Sequence, residues 1–411
     1  MAGAHHWFPG TGYAAGLMLL VLTLNSPSTQ AASWLVVPLF DARAGYENNP
    51  RMRDRGGEEA YQLRSSVGVR AAQDTGSRQL EFQGEAGYTA YAGDEDTPDD
   101  GDFQVVEART AWQGETTNWR LDGRALRDNT ILSLEDARTT ADLDGELDPG
   151  SDIDPRTEDE TVRRHRVFLN PSVDREMNEL TSLGARYRGR YLGFEGSDEL
   201  TADSLNHELE LRTDYAFTER SDLGVALQGA LFRPQGDRVA FNTFGVSFDL
   251  DYRVSERTTM TTAVGVRHSE PHDADDDVEG GTGFVGSLAA RHRGERWRVV
   301  AALERRLLPN SRGILTETDQ FRMILGRELS PRWEFDATAR VFTTRAVDSR
   351  LPEGATDEFL GVSPGLTYRL SEDWSVTTDY RYEALRRVDS SATAEGHAVF
   401  VGIRYAPRRR F

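Results

Sequence analysis

Two neighbouring stretches, Leu183-Gly-Ala-Arg-Tyr-Arg-Gly-Arg-Tyr191 and Leu205-Asn-His-Glu-Leu-Glu-Leu-Arg-Thr-Asp-Tyr-Ala-Phe217, decide the fold. In the first, Leu183, Ala185, Tyr187 and Tyr191 alternate with Arg186, Arg188 and Arg190; in the second, Leu209, Leu211, Tyr215 and Phe217 alternate with Asn206, Glu208, Glu210, Arg212 and Asp214. A period of two puts successive side chains on opposite faces of a strand, so each run has one apolar and one charged face. A helix would need apolar residues at three- and four-residue spacing. Folded as a hairpin about Gly193 to Ser204, the two runs set Arg186, Arg188 and Arg190 across from Glu208, Glu210 and Arg212. Opposite charges in such cross-strand positions contribute about 0.2–1 kcal/mol per pair.

The same alternation recurs along the chain. Eighteen runs begin near residues 34, 60, 78, 103, 117, 162, 180, 204, 221, 240, 258, 281, 296, 318, 332, 358, 373 and 396. The pattern is weakest from Leu126 to Val167, which leaves 16 strands as the alternative count. Connections alternate in length. Short ones fall at places such as Asp74-Thr75-Gly76, Gly114-Glu115, Arg175-Glu176, Glu219-Arg220 and Glu256-Arg257; long acidic ones include residues 93–102, 129–161, 193–204 and 269–281. An all-β, transmembrane antiparallel meander barrel has this layout, with short periplasmic turns and long acidic extracellular loops. Residues 32–411 form one barrel domain in this reading, and residues 129–161 are its third long loop.

A short motif repeats at strand ends: Tyr215-Ala-Phe-Thr-Glu-Arg220, Tyr252-Arg-Val-Ser-Glu-Arg257 and Tyr368-Arg-Leu-Ser-Glu-Asp373, with a weaker copy in Arg327-Glu-Leu-Ser-Pro-Arg332. Aromatic residues are sorted as well. Trp34, Trp112, Trp119, Trp297, Trp333 and Trp374 lie beside short turns or at the first strand's start. Tyr46, Tyr61, Tyr88, Tyr91, Tyr187, Tyr191, Phe232, Phe244, Tyr380 and Tyr382 lie toward the long loops. Two belts one strand apart fit the two interfaces of a bilayer.

Composition excludes several chemistries. The chain of 411 residues has no cysteine, and all 48 of its basic residues are arginine. Thiol nucleophiles, thiolate metal sites, a Walker lysine and Schiff-base lysines are therefore absent. The net charge of −20 argues against a nucleic-acid partner. Ala14 to Leu24 is an apolar run too short to span a bilayer as a helix; with Ala31 and Ala32 behind it, it predicts a secretory signal peptide over residues 1–31. Its n-region lacks arginine, which leaves the start codon and the cleavage site open.

Three features carry a resemblance: Gly45-Tyr46-Glu-Asn-Asn-Pro50, the repeated turns, and the ending Ala398-Val-Phe-Val-Gly-Ile-Arg-Tyr405. In these the chain resembles the β-barrel porins of proteobacterial outer membranes, some relatives of which are associated with exopolysaccharide or exosortase-type surface systems. The resemblance implies a Gram-negative outer-membrane barrel and a channel role, with membrane lipid, the insertion machinery and surface-polysaccharide export components as partners. Tyr405 and Phe411 are similar to the terminal aromatics of an insertion signal, although Pro407 and Arg409 depart from its alternation.

With the apolar faces against lipid, the charged faces point inward. The expected lumen residues are the ladder Arg186, Arg188, Arg190, Glu208, Glu210 and Arg212, together with Arg64, Arg70, Glu81, Glu85, Arg267, Arg298, Arg322, Arg340, Asp379, Arg381 and Arg404. Barrels of 16 to 18 strands leave an aqueous passage. By analogy with general porins, the third loop would narrow it. Asp142, Asp144, Glu146 and Asp148 form a weak candidate metal site without the glycine and glutamate of a calcium loop; no cofactor is expected. No catalytic constellation stands out, so the chain reads as a channel for a polar solute or surface polysaccharide rather than an enzyme. The alternative is an anchoring barrel without transport.

Overall fold

The structure is a computed structural model and describes residues 34–52, 59–93, 97–129, 162–195, 203–236, 239–272, 280–309, 315–346, 356–386 and 393–407. The expected signal peptide, the acidic third loop with Asp142 to Asp148, and Phe411 lie outside these residues. The strands are β1 (Leu35–Asn48), β2 (Glu59–Asp74), β3 (Arg78–Gly93), β4 (Gly101–Gln113), β5 (Thr117–Asn129), β6 (Arg163–Asn178), β7 (Thr181–Phe194), β8 (Ser204–Thr218) and β9 (Ser221–Pro234). They continue as β10 (Ala240–Ser255), β11 (Thr258–His272), β12 (Gly281–Arg293), β13 (Trp297–Pro309), β14 (Leu315–Glu328), β15 (Trp333–Ala346), β16 (Thr356–Arg369), β17 (Trp374–Arg386) and β18 (Thr393–Tyr405).

Every strand pairs antiparallel with its neighbours in sequence, and β1 pairs with both β2 and β18, so the 18-stranded sheet closes without an edge. Closure matters physically. An open sheet in hydrocarbon would leave a row of backbone groups without partners, and a barrel leaves none. The count of 18 replaces the alternative of 16. β5 and β6 flank the weakly patterned region and pair from Thr117↔Arg175 to Asn129↔Arg163.

The repeated motif is a turn device. In its copies the Ser or Thr hydroxyl accepts a hydrogen bond from the amide two residues on: Arg220 N to Thr218 Oγ1 at 3.2 Å, Arg257 N to Ser255 Oγ at 3.3 Å, Arg332 N to Ser330 Oγ at 3.3 Å and Asp373 N to Ser371 Oγ at 3.3 Å. Short polar side chains stabilise tight turns in this way. Asn178 plays the same part, accepting from Leu180 N at 2.9 Å. The turn expected at Arg175-Glu176 therefore lies further on, at Glu179-Leu180, because β6 runs to Asn178 through a bulge between Glu176 and Asn178.

Two of the prolines within strands coincide with breaks in the pairing, because a missing N–H removes a ladder bond. Between β6 and β7 the pairing steps from Leu169↔Gly189 to Ser172↔Arg186, skipping Pro171 opposite Tyr187. Between β16 and β17 it steps from Val362↔Tyr382 to Gly365↔Asp379, skipping Pro364 opposite Tyr380. Both tyrosines reach a histidine on the next strand: Tyr187 Oη to His207 Nδ1 is 2.5 Å and Tyr380 Oη to His397 Nδ1 is 2.8 Å. The chain thus carries one proline–tyrosine–histidine arrangement twice. Each proline leaves the carbonyl of the opposite tyrosine without a ladder donor, so in hydrogen exchange on the folded barrel the amides flanking the two gaps should exchange ahead of other mid-strand amides. Pro171→Ala should slow exchange around the first gap and leave the second unchanged; equal rates throughout would show that the gaps do not weaken the wall.

Candidate functional site

The register fixes which side chains share the interior. Arg43 pairs with Arg64, Arg64 with Thr89 and Gly68 with Glu85, so Arg64, Arg70, Glu81 and Glu85 stand on one face of β2 and β3. Continued round the barrel, the same parity holds Arg186, Arg188, Arg190, Glu208, Glu210 and Arg212 on β7 and β8. It also holds Arg267, Arg298, Arg322, Arg340, Asp379, Arg381 and Arg404. The opposite parity carries the exposed apolar wall, including Leu63, Val67, Leu209, Leu227, Phe248, Val264, Leu303 and Val401. Trp34, Trp112, Trp119, Trp297, Trp333 and Trp374 are all exposed on that outer face at its short-turn end. Trp333 lies against Tyr368, Trp374 against Tyr405, and the Arg327 guanidinium over Trp297.

The ladder has one rung in register and one diagonal. Arg186 faces Glu210 and Arg188 faces Glu208 across the strands, but Arg188 takes both carboxylates, Nη1 to Glu208 at 2.7 Å and Nη2 to Glu210 at 3.3 Å. Arg267 joins from β11, 3.3 Å from Glu208. Arg212 binds Asp214 at 2.6 Å and Asp251 at 3.1 Å. Elsewhere Glu334 receives Arg298 and Arg369, each at 2.7 Å, and Arg70 lies 3.3 Å from Glu81. Arg186, Arg404 and Glu85 carry no ion pair among the described residues.

Several interior groups escape a reading by alternation. Asp128 is buried and holds Arg164 at 3.1 Å and Arg166 at 2.5 Å. Their signal is hidden because β5 and β6 invert the pattern near the loop: Leu126 and Phe168 point inward, and Arg127, Arg163 and His165 point outward. Those outward groups meet Asp102 and Glu195. Partial burial raises the Glu195 carboxyl, but the hydrogen bond to His165 and the charge of Arg127 outweigh it and hold it below the ordinary carboxylate range.

Phenylalanines also enter the interior, four of them beside an arginine. Arg64 lies 4.0 Å over Phe103, Arg340 5.1 Å over Phe342, Arg381 5.3 Å over Phe400 and Arg190 5.6 Å over Phe168. A guanidinium on a ring face keeps its charge while the ring loses apolar exposure. Two aromatics expected in the outer belt belong to this inner set. Phe232 pairs in register with Phe241 and is buried against it, and Tyr91 accepts from Gln62 Nε2 at 3.2 Å.

The start of the first long connection, Asn49 to Met52, turns into the barrel. Asn49 and Met52 have φ of 57° and 49°, and Met52 is buried among Phe342, Phe359, Leu385 and Ala394, all inward-facing residues of β15 to β18. Beside it Arg381 binds Glu47 and lies 3.4 Å from Glu383. Sequence reading assigned the inward role to residues 129–161, which lie outside the described residues. Among the described residues no group of three or more His, Asp or Glu side chains could hold a metal ion.

No family model matches the chain, and no curated protein matches it. Solved structures with a similar chain path include Pseudomonas aeruginosa OccK2 (OpdF) in complex with glucuronate, at 12% identity, a TM-score of 0.46, and coverage of 90% of this chain and 98% of that one. Acinetobacter baumannii OccAB4 matches at 9% identity and a TM-score of 0.46, covering 92% and 99% of the two chains. An anion-selective porin from Comamonas acidovorans matches at 11% identity and a TM-score of 0.38, covering 91% and 99%. The likeness is one of chain path, at identities too low to carry a solute or a site from those proteins to this chain.

Proposed function

We propose that the chain is a channel of the Gram-negative outer membrane through which polar solutes pass passively. One observation carries this reading: a closed barrel with an apolar outer wall and an arginine–carboxylate inner wall. An apolar exterior is stable only against hydrocarbon, and 18 strands enclose more space than side chains fill. Tyr405 lies tilted against Trp374 at the short-turn end, a placement suited to an insertion signal read from the periplasm. Small polar solutes fit better than a polysaccharide chain, because Met52 and its neighbours occupy part of the interior.

That same inward segment supports a second reading, an anchoring barrel whose loops engage surface polymers. Reconstitution into planar bilayers separates the two. Discrete conductance steps that scale with salt are expected of a channel; silence across salt and voltage would favour the anchor.

A further inference from the structure

The start of the first long connection lies in a seat made for it. β18 presents Ala394, Gly396 and Ala398 inward, and the two alanines are about 1% exposed. Next to this shallow track the chain leaves β1 and crosses it. Asn48 Oδ1 accepts from His397 N at 2.5 Å, and Asn49 Nδ2 donates to Glu395 O at 2.9 Å. Met52 N then closes a turn on Asn49 O at 3.1 Å. A Cβ on Gly396 would stand 2.9 Å from Met52 Sδ and 3.4 Å from the carbonyl oxygens of Asn48 and Asn49, so a larger residue there displaces the segment. Ala398 pairs in register with both Glu47 and Arg381, and its small side chain lets those two meet across β18. Gly45 is equally constrained: a Cβ there would fall 2.1 Å from Phe400 Cδ1.

Each residue of Gly45-Tyr46-Glu47-Asn48-Asn49 therefore has a placement. Gly45 admits Phe400, Tyr46 packs on Tyr61 outside, Glu47 binds Arg381 inside, and the two asparagines fasten the crossing. Met52 ends the segment in an apolar socket on the interior wall, where Phe342 and Phe359 stack at 4.9 Å. A thioether fills such an irregular socket readily.

We propose that residues 48–52 are an element that narrows this channel, with Met52 as its anchor and the buried Glu47–Arg381–Glu383 cluster as the base that holds it. The inference rests on the channel reading and, among the described residues, names a segment that takes up part of the bore. The segment is fixed rather than mobile in this account, held by backbone and side-chain bonds and by a buried anchor.

The cysteine-free chain makes the test direct. Met52→Cys, in the folded protein, is expected to resist a bulky membrane-impermeant maleimide. Adding Gly396→Leu should abolish that protection, and Gly396→Leu alone should give a larger open-channel conductance in planar bilayers. Met52→Ser, which leaves the track intact and removes only the anchor, should raise conductance in the same direction. Heat-modifiable migration on gels shows that each variant is folded. Labelling at equal rates with and without Gly396→Leu, or released protection with unchanged conductance in both variants, overturns the inference. If the unmodified protein is silent, the channel reading itself fails and this inference with it; if the unmodified protein conducts and the variants match it, only this inference fails.

Discussion

Leu227→Arg is expected to destabilise the folded barrel by about 2–4 kcal/mol, the loss found for a cation placed at mid-depth on a lipid-facing wall. Leu227 lies midway along β9, is 57% exposed on the outer face, and has Gln228 beside it pointing inward. Exposure of that size on a leucine is unfavourable in water and favourable in hydrocarbon. The matched control is Glu85→Arg, a charge reversal on the inner face at a position without an ion pair among the described residues. On the channel reading, which hydrates the inner wall, it should change stability far less. Urea titrations of both variants refolded into lipid vesicles give the comparison. Similar losses at the two positions would mean that the outer wall does not face hydrocarbon, and the membrane reading would go with it.

Asp128→Ala should cost about 3–5 kcal/mol, because it removes one partner of a buried ion-pair cluster. Asp128 is the shared acceptor of Arg164 and Arg166, and the three side chains are between 5% and 10% exposed. Removing the carboxylate takes away the buried counter-charge that the two guanidinium groups share. Asp128→Asn keeps the shape and one hydrogen-bond acceptor, so it should fall between wild type and alanine. The shift of the urea midpoint reads the effect. A loss below about 1 kcal/mol for the alanine variant would place the site in solvent, where ion pairs of this kind contribute little. The position has a structural consequence: this site joins β5 to β6 at the foot of the connection over residues 129–161, so its loss should loosen both strand ends.

Much of the barrel was legible because a strand reports its two environments in turn. Leu205 to Phe217 needs no partner to show that one face is apolar and the other charged. The tryptophans at short turns and the serine-capped turns are equally local, since each depends on residues within a few positions. Where the alternation inverts, as at Leu126, Arg127, His165 and Phe168, the reading weakens for a physical reason. These residues lie near the loop end, where outward charges meet other charges and inward apolar groups pack under arginines. Phe232 and Tyr91 misled for the same reason, because an aromatic near a loop fits either face.

What the sequence by itself determined is the parity of each strand, hence the wall, its two faces and the sorting of charge to the interior. A period of two is a property of the backbone and survives without knowledge of neighbours. What only the tertiary structure decided is which charges meet and what fills the interior. Arg188 takes Glu210, although Arg186 faces that carboxylate in register, and Arg381 reaches Glu47 across a strand because Ala398 leaves room. The inward turn of Asn49 to Met52 likewise depends on closure of β18 against β1, residues about 350 positions apart in sequence whose small side chains form the track only once the barrel is shut.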